Sequence, residues 1–169
     1  MKRVFASAVL VLMVAAGAWA DDQPVHDVVV ALFASGDRSP LQSFIGNGLV
    51  LELTRNGFRP RLLEADGPPP AADDRRAAAR LARDTAAPLV LVSVYSVRAS
   101  EVEITLRAVE VEGSRLLVTA RRAARIDLAL DETLIAAVQD VVPAMAPIRD
   151  RHQERFPVKP PEPAPQPAA

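Results

Sequence analysis

The chain has 169 residues, of which half are apolar and about a quarter are charged, with a formal net charge of −1. This composition is typical of one globular domain with a packed core. Cysteine is absent from the sequence, which excludes disulfides and cysteine-ligated metal sites.

The first twenty residues have the pattern of a secretory signal peptide. Lys2 and Arg3 precede an apolar run at residues 4–17, and residues 18–20 (Ala-Trp-Ala) form a cleavage site. The apolar run is shorter than the ~20 residues that a membrane span needs, so we expect cleavage after residue 20 and not an uncleaved anchor. The mature chain has no cysteine to lipidate, and we expect a soluble periplasmic protein without an integral membrane span.

The first half of the mature chain alternates between predicted strands and helices. A dense β-branched run at residues 25–33 predicts a central strand. A helix is predicted from Ser39-Pro40 to Asn56-Gly57. Residues 58–64 predict a short strand, which Pro60 places at a sheet edge because proline cannot donate to a ladder. A second helix is predicted at residues 71–86.

Gly46 and Gly48 interrupt the first predicted helix. We interpret them as positions where the helix backbone packs closely onto the sheet. A glycine-rich nucleotide loop is the alternative, but both glycines lie inside the periodic helix, and neither a third glycine nor a P-loop lysine follows. The predicted apolar face of this helix carries Leu41, Phe44, Ile45, Leu49 and Leu53.

Four arginines dominate the polar face of the second predicted helix. We expect this face to be solvated and not to bind nucleic acid, because no aromatic residues are interleaved to stack on bases. Acidic residues at positions 73, 74 and 84 largely balance the arginines Arg75, Arg76, Arg80 and Arg83.

Residues 88–130 predict three consecutive antiparallel strands. The first, at residues 89–94, is apolar on both faces and should be central. The second alternates with period two until the pattern changes near Ala108, where we expect a β-bulge. The third, at residues 115–123, is polar enough to be an exposed edge, which Arg121 and Arg122 would protect.

A third helix is predicted from Asp131, with an apolar stripe that Pro143 limits. The sequence therefore predicts one domain at residues 21–148, followed by a proline-rich, disordered tail at residues 149–169. The stripe consists of Leu134, Ile135, Val138, Val141 and Val142.

The order of elements, β-α-β-α-β-β-β-α, predicts an α/β fold. Two right-handed β-α-β crossovers make the first three strands parallel, and Pro60 puts the second strand outside the first. The last two strands add antiparallel. The expected structure is a five-stranded mixed sheet of order 2-1-3-4-5 with helices packed on it.

With this order, the run TAAPLVLVSVYSVRASEVEITLRAVEVEGSRLLVTAR, together with VVVALF and a helix ending in Asn-Gly, resembles one superfamily of envelope proteins. It includes the N-terminal domain of TolB, LpoB and CsgG. The resemblance covers about residues 25–142 and implies the fold and a role in binding and assembly. LpoB and CsgG are lipoproteins, whereas this chain has no cysteine, and no functional residue carries over.

The residues that carry common site chemistry are sparse. Two histidines, His26 and His152, are expected to lie on the surface and not to bind a metal. No Gly-x-Ser-x-Gly motif is present, and we expect neither catalytic residues nor a cofactor. Asp37, Arg38 and Asp66 follow parallel strands, at the end of the sheet where α/β proteins bind ligands, and could form a ligand loop.

Three hypotheses for function follow. The first is a non-enzymatic binding or scaffolding module that acts in envelope protein assembly. Its partner would be another envelope protein, bound at the edge that carries Arg115, Arg121 and Arg122. The second is a small-molecule or ion binder, or a weak hydrolase, that uses the loops after the first and second strands. Self-assembly is a third hypothesis, since the sequence does not determine the oligomeric state.

Overall fold

The computed structural model describes residues 25–35, 41–126 and 129–157. The predicted signal peptide, Ser39-Pro40 and the end of the proline-rich tail lie outside these ranges. The strands are β1 (Val28–Ser35), β2 (Pro60–Glu64), β3 (Leu89–Arg98), β4 (Glu101–Glu110) and β5 (Arg115–Arg125). The helices are α1 (Leu41–Arg55), α2 (Arg75–Arg80) and α3 (Ala129–Arg155), and a 3-10 turn covers Arg83–Thr85.

The strands form one mixed sheet of order β2-β1-β3-β4-β5, as predicted. β1 pairs parallel with both β2 and β3, and β3, β4 and β5 follow antiparallel. The β-branched run of β1 is buried on both faces because it lies between two other strands under helices on both sides.

The helices cover the two faces of the sheet unequally. α1 and α3 pack on one face, over alternate residues such as Val30, Leu91 and Leu106. The six-residue α2 and the 3-10 turn cover part of the other face, over Ala31 and Val92. A continuous helix over residues 71–86 is therefore a wrong prediction. The Asp74 carboxylate accepts from the Ala77 N–H at 2.8 Å and starts the helix only there.

The predicted irregularity near Ala108 is confirmed, but the extra residue lies on the neighbouring strand. Ala108 pairs with Val118 and Val109 with Leu116, so Leu117 of β5 is the unpaired residue. β4 itself keeps an unbroken register with β3. The apolar pattern of β4 changes because α2 covers the face to which Val109 belongs.

α3 is longer than the sequence predicts. It continues through Pro143 and Pro147 to Arg155, so the predicted boundary at residue 148 is wrong and residues 149–155 are helical. Both prolines are exposed, so the carbonyls that lose an N–H partner can be solvated. The buried stripe continues beyond Pro143 as Met145, Ile148 and His152.

Close packing onto the sheet is confirmed for Gly46, but Gly48 packs closely against α3 and not against the sheet. A Cβ at Gly46 would lie 3.1 Å from a methyl of Leu62 and 3.2 Å from one of Leu32, in the sheet. A Cβ at Gly48 would lie 2.9 Å from a methyl of Leu134, in α3. The predicted apolar face is wrong at Phe44, whose side chain is 44 % exposed.

Gly46→Leu is expected to destabilise the chain by about 1–3 kcal/mol, because the larger side chain overpacks the α1–sheet contact. This cost exceeds the gain of up to about 1 kcal/mol in helix propensity. Asn47→Leu is the matched control, since Asn47 is exposed on the same helix and should tolerate the change. Urea unfolding measures both. A Gly46→Leu chain as stable as the wild type would contradict close packing.

Candidate functional site

A cluster of polar side chains joins three elements at the amino-terminal end of the parallel strands. Its centre is Asp27, directly before β1, whose side chain is fully buried. Arg59 precedes β2, and His152 and Gln153 lie in the last turn of α3. The helix brings these two residues to the cluster because it runs antiparallel to β1, over β5, β4 and β3.

Both oxygens of the Asp27 carboxylate accept several hydrogen bonds. Arg59 donates from Nη2 to Oδ1 at 2.6 Å and from Nε to both oxygens at 3.1 Å, and its backbone N–H donates to Oδ2 at 3.0 Å. Gln153 Nε2 donates to Oδ2 at 2.6 Å, and His152 Nδ1 lies 3.0 Å from Oδ1. The carboxylate is therefore paired with a cation and saturated with donors.

Two opposing effects act on the acidity of Asp27. Burial by itself raises the pKa of a carboxyl, but the hydrogen bonds from Arg59, Gln153 and His152 outweigh it, and the pKa of Asp27 is lowered. Asp27 is thus ionised at neutral pH. Since an ionised carboxylate can only accept, His152 carries a proton on Nδ1.

α3 makes further contacts with the loop between α1 and β2. The Arg149 guanidinium donates to the Asn56 carbonyl and lies 4.7 Å from the centre of the Phe58 ring. Gln153 Nε2 also donates to the Gly57 carbonyl at 2.9 Å. Gly57 adopts φ = 79°, a left-handed conformation that suits glycine at a helix end. The last turns of α3 are therefore fixed to both β1 and the start of β2.

His152 separates two surface clefts. The larger has a volume of about 440 Å³ and includes Val25, Arg61 and Phe156 in its lining. The smaller, of about 80 Å³, lies towards Glu110 and Arg151. The Asp27–His152 pair resembles the Asp–His pair of a catalytic triad. The hydroxyl of Thr85, which lines the same cleft, donates to the Ala82 carbonyl at 2.8 Å and not to His152. The arrangement suits binding and orientation better than nucleophilic chemistry.

Of the sequence-predicted ligand loop, the structure describes Asp66, at the opposite end of the sheet from the polar cluster. Asp66 follows the carboxyl end of β2 and is exposed. Asp37 and Arg38 lie outside the described residues, so the ligand loop stays a prediction. Among the residues it describes, no group of three or more His, Asp or Glu side chains could hold a metal ion.

The three arginines of the predicted interaction edge all form ion pairs within the chain. Arg115 contacts Glu110 at 2.9 Å and Arg121 contacts Glu103 at 2.6 Å. Arg122 reaches across to Asp140 of α3 at 2.7 Å. The three guanidinium groups are therefore paired with residues of β4 and α3.

The sequence prediction missed the polar cluster. His152 was expected on the surface, yet only 9 % of it is exposed. The apolar spacing of α3 could have located it, because His152 continues the three- and four-residue spacing of Met145 and Ile148. The predicted end of the helix at Pro143 concealed that signal.

No protein-family model matches this sequence, and no curated protein matches it either. Among solved structures, the chain is similar to a PelC dodecamer from Paraburkholderia phytofirmans, with 13 % identity, a TM-score of 0.45, and coverage of 72 % of this chain and 90 % of that chain. It is also similar to TolB from Acinetobacter baumannii, with 15 % identity, a TM-score of 0.42, and coverage of 73 % and 28 %.

The C-terminal domain of LpoB from Escherichia coli is a third similar structure, with 18 % identity, a TM-score of 0.40, and coverage of 61 % of this chain and 86 % of that chain. TolB and LpoB, which the sequence resembles, are therefore among the structures to which the chain is similar, each with a TM-score below 0.5. Within the described residues, no helix has the length and apolarity needed to cross a membrane.

Asp27→Asn is expected to lower the free energy of unfolding by about 3 kcal/mol, because it leaves the partly buried Arg59 without its counter-charge. The control is Asp140→Asn, which removes the exposed pair with Arg122 and should cost less than about 1 kcal/mol. Equal, small effects of the two substitutions in urea unfolding would contradict a structural role for the cluster.

The same substitution should change the response to acid. Because folding lowers the pKa of Asp27, its contribution is present above the unfolded-state value of about 4 and is lost as the pH falls below it. The wild type should therefore lose stability in this range more steeply than Asp27→Asn. Parallel stability curves for the two chains below about pH 4 would refute this assignment.

Proposed function

We propose that this chain is a non-enzymatic, exported binding module of the cell envelope, which binds an extended segment of a partner protein along the outer edge of β5. The observation that carries the proposal is a row of unpaired backbone groups on this edge. Unpaired N–H and C=O groups of an edge strand are a template for another strand, and many binding domains use them in this way.

Two hydrogen bonds determine which residues of β5 face outwards. The Val111 N–H donates to the Pro88 carbonyl at 2.9 Å, so odd-numbered residues of β4 bond to β3 and even-numbered ones to β5. The Ile126 N–H donates to the Ser100 carbonyl at 2.8 Å, in agreement. Beyond the bulge, the backbone N–H and C=O groups of β5 that point away from β4 therefore belong to Thr119, Arg121, Ala123 and Arg125.

This edge lacks the protection found at the other edge. β2 has five residues and begins with Pro60, whereas β5 has eleven residues and no proline. No described residue bonds to the four outward-facing backbone groups. Charged side chains can also protect an edge, but Arg121 and Arg122 are directed to opposite faces by their pairs with Glu103 and Asp140.

The sheet face beside the edge is also accessible. α2 is short and packs near Val109, so the distant half of that face carries exposed side chains at Thr119, Arg121 and Ala123. A strand added to β5 would place its alternate side chains on this open surface. Backbone pairing and side-chain contacts would then act together, as in β-strand addition.

Ala123→Pro should abolish partner binding and leave the fold intact, because it removes an outward N–H that β4 does not use. Ala123→Thr keeps the N–H and is the control. Pull-downs from an envelope fraction would compare these chains, with and without residues 157–169. Capture of the same partner by the wild type and Ala123→Thr, but not by Ala123→Pro, is the expected result.

Hydrogen exchange of the captured complex distinguishes strand addition from other contacts. Partner binding should slow exchange at the amides of residues 119, 121, 123 and 125, while the even-numbered amides are already protected by β4. Undiminished binding by Ala123→Pro, or protection without this alternation, would overturn the proposed binding mode.

Export is the part of the proposal that depends on residues 1–20. A chain produced with these residues in a cell with two membranes should be recovered from the periplasm. Mass spectrometry of the purified protein should find Asp21 at the N-terminus. Recovery of the chain from the membrane with Met1 or the apolar run still attached would show that the segment is a retained anchor.

A further inference from the structure

The larger cleft beside His152 has the features of a small-molecule site. Its volume of about 440 Å³ lies in the range of ligand pockets in proteins. It opens at the amino-terminal end of β1 and β3, far from the edge of β5 in the sheet order. Binding of a ligand in this cleft would therefore be independent of partner binding at the edge of β5.

A fixed polar group lines both this cleft and the smaller one. His152 is nine-tenths buried, and the Asp27 carboxylate holds its Nδ1 at 3.0 Å. The other ring nitrogen, Nε2, has no hydrogen-bond partner among the described residues and is not sealed from solvent. The imidazole is thus held in one orientation, and with its proton on Nδ1 the other nitrogen can accept a hydrogen bond from a ligand.

Two opposite charges line the same cleft without pairing with each other. Arg61 and Asp84 are both exposed, and neither has an ion-pair partner within 4 Å among the described residues. Burial lowers the pKa of the adjacent His26, and the charges of Arg61 and Arg59 lower it further, which indicates positive potential on that side. The cleft thus has separate places for an anionic and a cationic group.

Apolar surface completes the lining. Val25 and Phe156 are 40 % and 49 % exposed, and they are among the most exposed large apolar side chains of the described chain. The Phe156 ring packs on the His152 imidazole with 4.9 Å between ring centres. An apolar group of a ligand in this cleft would therefore lie directly beside the polar positions.

We propose that this cleft binds an apolar α-amino acid in its zwitterionic form. Its carboxylate lies against Arg61, its ammonium group lies against Asp84 and donates to His152 Nε2, and its side chain lies against Val25 and Phe156. This one ligand class uses the unpaired cation, the unpaired anion and the exposed apolar surface together. A simple carboxylate would leave Asp84 without a role, and an amine would leave Arg61 without one.

The test is an NMR titration of the chain with L-phenylalanine, L-phenylalaninamide and N-acetyl-L-phenylalanine. The free amino acid should produce saturable shifts at His152 and Ala86, and the two derivatives, which each lack one charge, should bind about tenfold more weakly. Saturable shifts confined to other regions, or no saturation up to about 10 mM, would overturn the proposal.

Variants then assign each charge. Arg61→Gln should bind the amino acid and its amide equally, since the carboxylate has lost its partner. Asp84→Asn should reduce the preference for the amino acid over its N-acetyl derivative, since the ammonium group has lost its counter-charge. Arg83→Gln, which changes an exposed arginine outside the cleft, should behave as the wild type. Binding of N-acetyl-L-phenylalanine as tight as that of the amino acid in the wild type would exclude the zwitterion assignment.

Discussion

The buried carboxylate of Asp27 is the interaction on which the assembly of this chain depends. A buried charge is strongly unfavourable unless it is paired and hydrogen-bonded. Its partners come from Arg59, directly before β2, and from His152 and Gln153, at the far end of α3. The carboxylate has all its hydrogen-bond partners only when the three elements are in place. These bonds therefore fix the end of α3 to the start of β1.

The full length of α3 produces an unequal covering of the sheet. On one side of the sheet, α1 packs on β1 and β2 while α3 packs on β3, β4 and β5, and Gly46 and Gly48 let the helices approach the sheet and each other. On the opposite side, the short α2 covers only the central strands. The proposed binding edge and the open face beside it exist because this second layer is incomplete.

The two proposed binding surfaces lie in different parts of the fold and use different physics. The edge of β5 offers a regular row of backbone N–H and C=O groups, which suits an extended peptide segment. The cleft beside His152 offers one cation, one anion and apolar surface, which suit one small molecule. A chain with both surfaces could bind a partner and a small ligand at once.

Much of the architecture was predictable because local patterns report it. Pro60 determined the edge position of β2, crossover handedness determined the parallel strands, and the change of pattern near Ala108 located the register shift. Gly46 was interpreted correctly as a close contact with the sheet, whereas the contact of Gly48 with α3 was not predicted. The Asp37, Arg38 and Asp66 loop was inferred from a general rule of α/β proteins and stays a prediction, whereas the buried polar cluster at the other end of the sheet was not foreseen.

The sequence by itself determined the order of the strands, their faces and the separation of the chain into alternating elements. Only the tertiary structure decided that α3 continues through Pro143 and Pro147, because the cost of a proline depends on whether the freed carbonyl meets solvent or the core. It also decided that His152 is buried, since its partner Asp27 lies 125 residues away in the chain. Periodicity shows which face of an element is apolar, but only the assembled chain shows what covers that face.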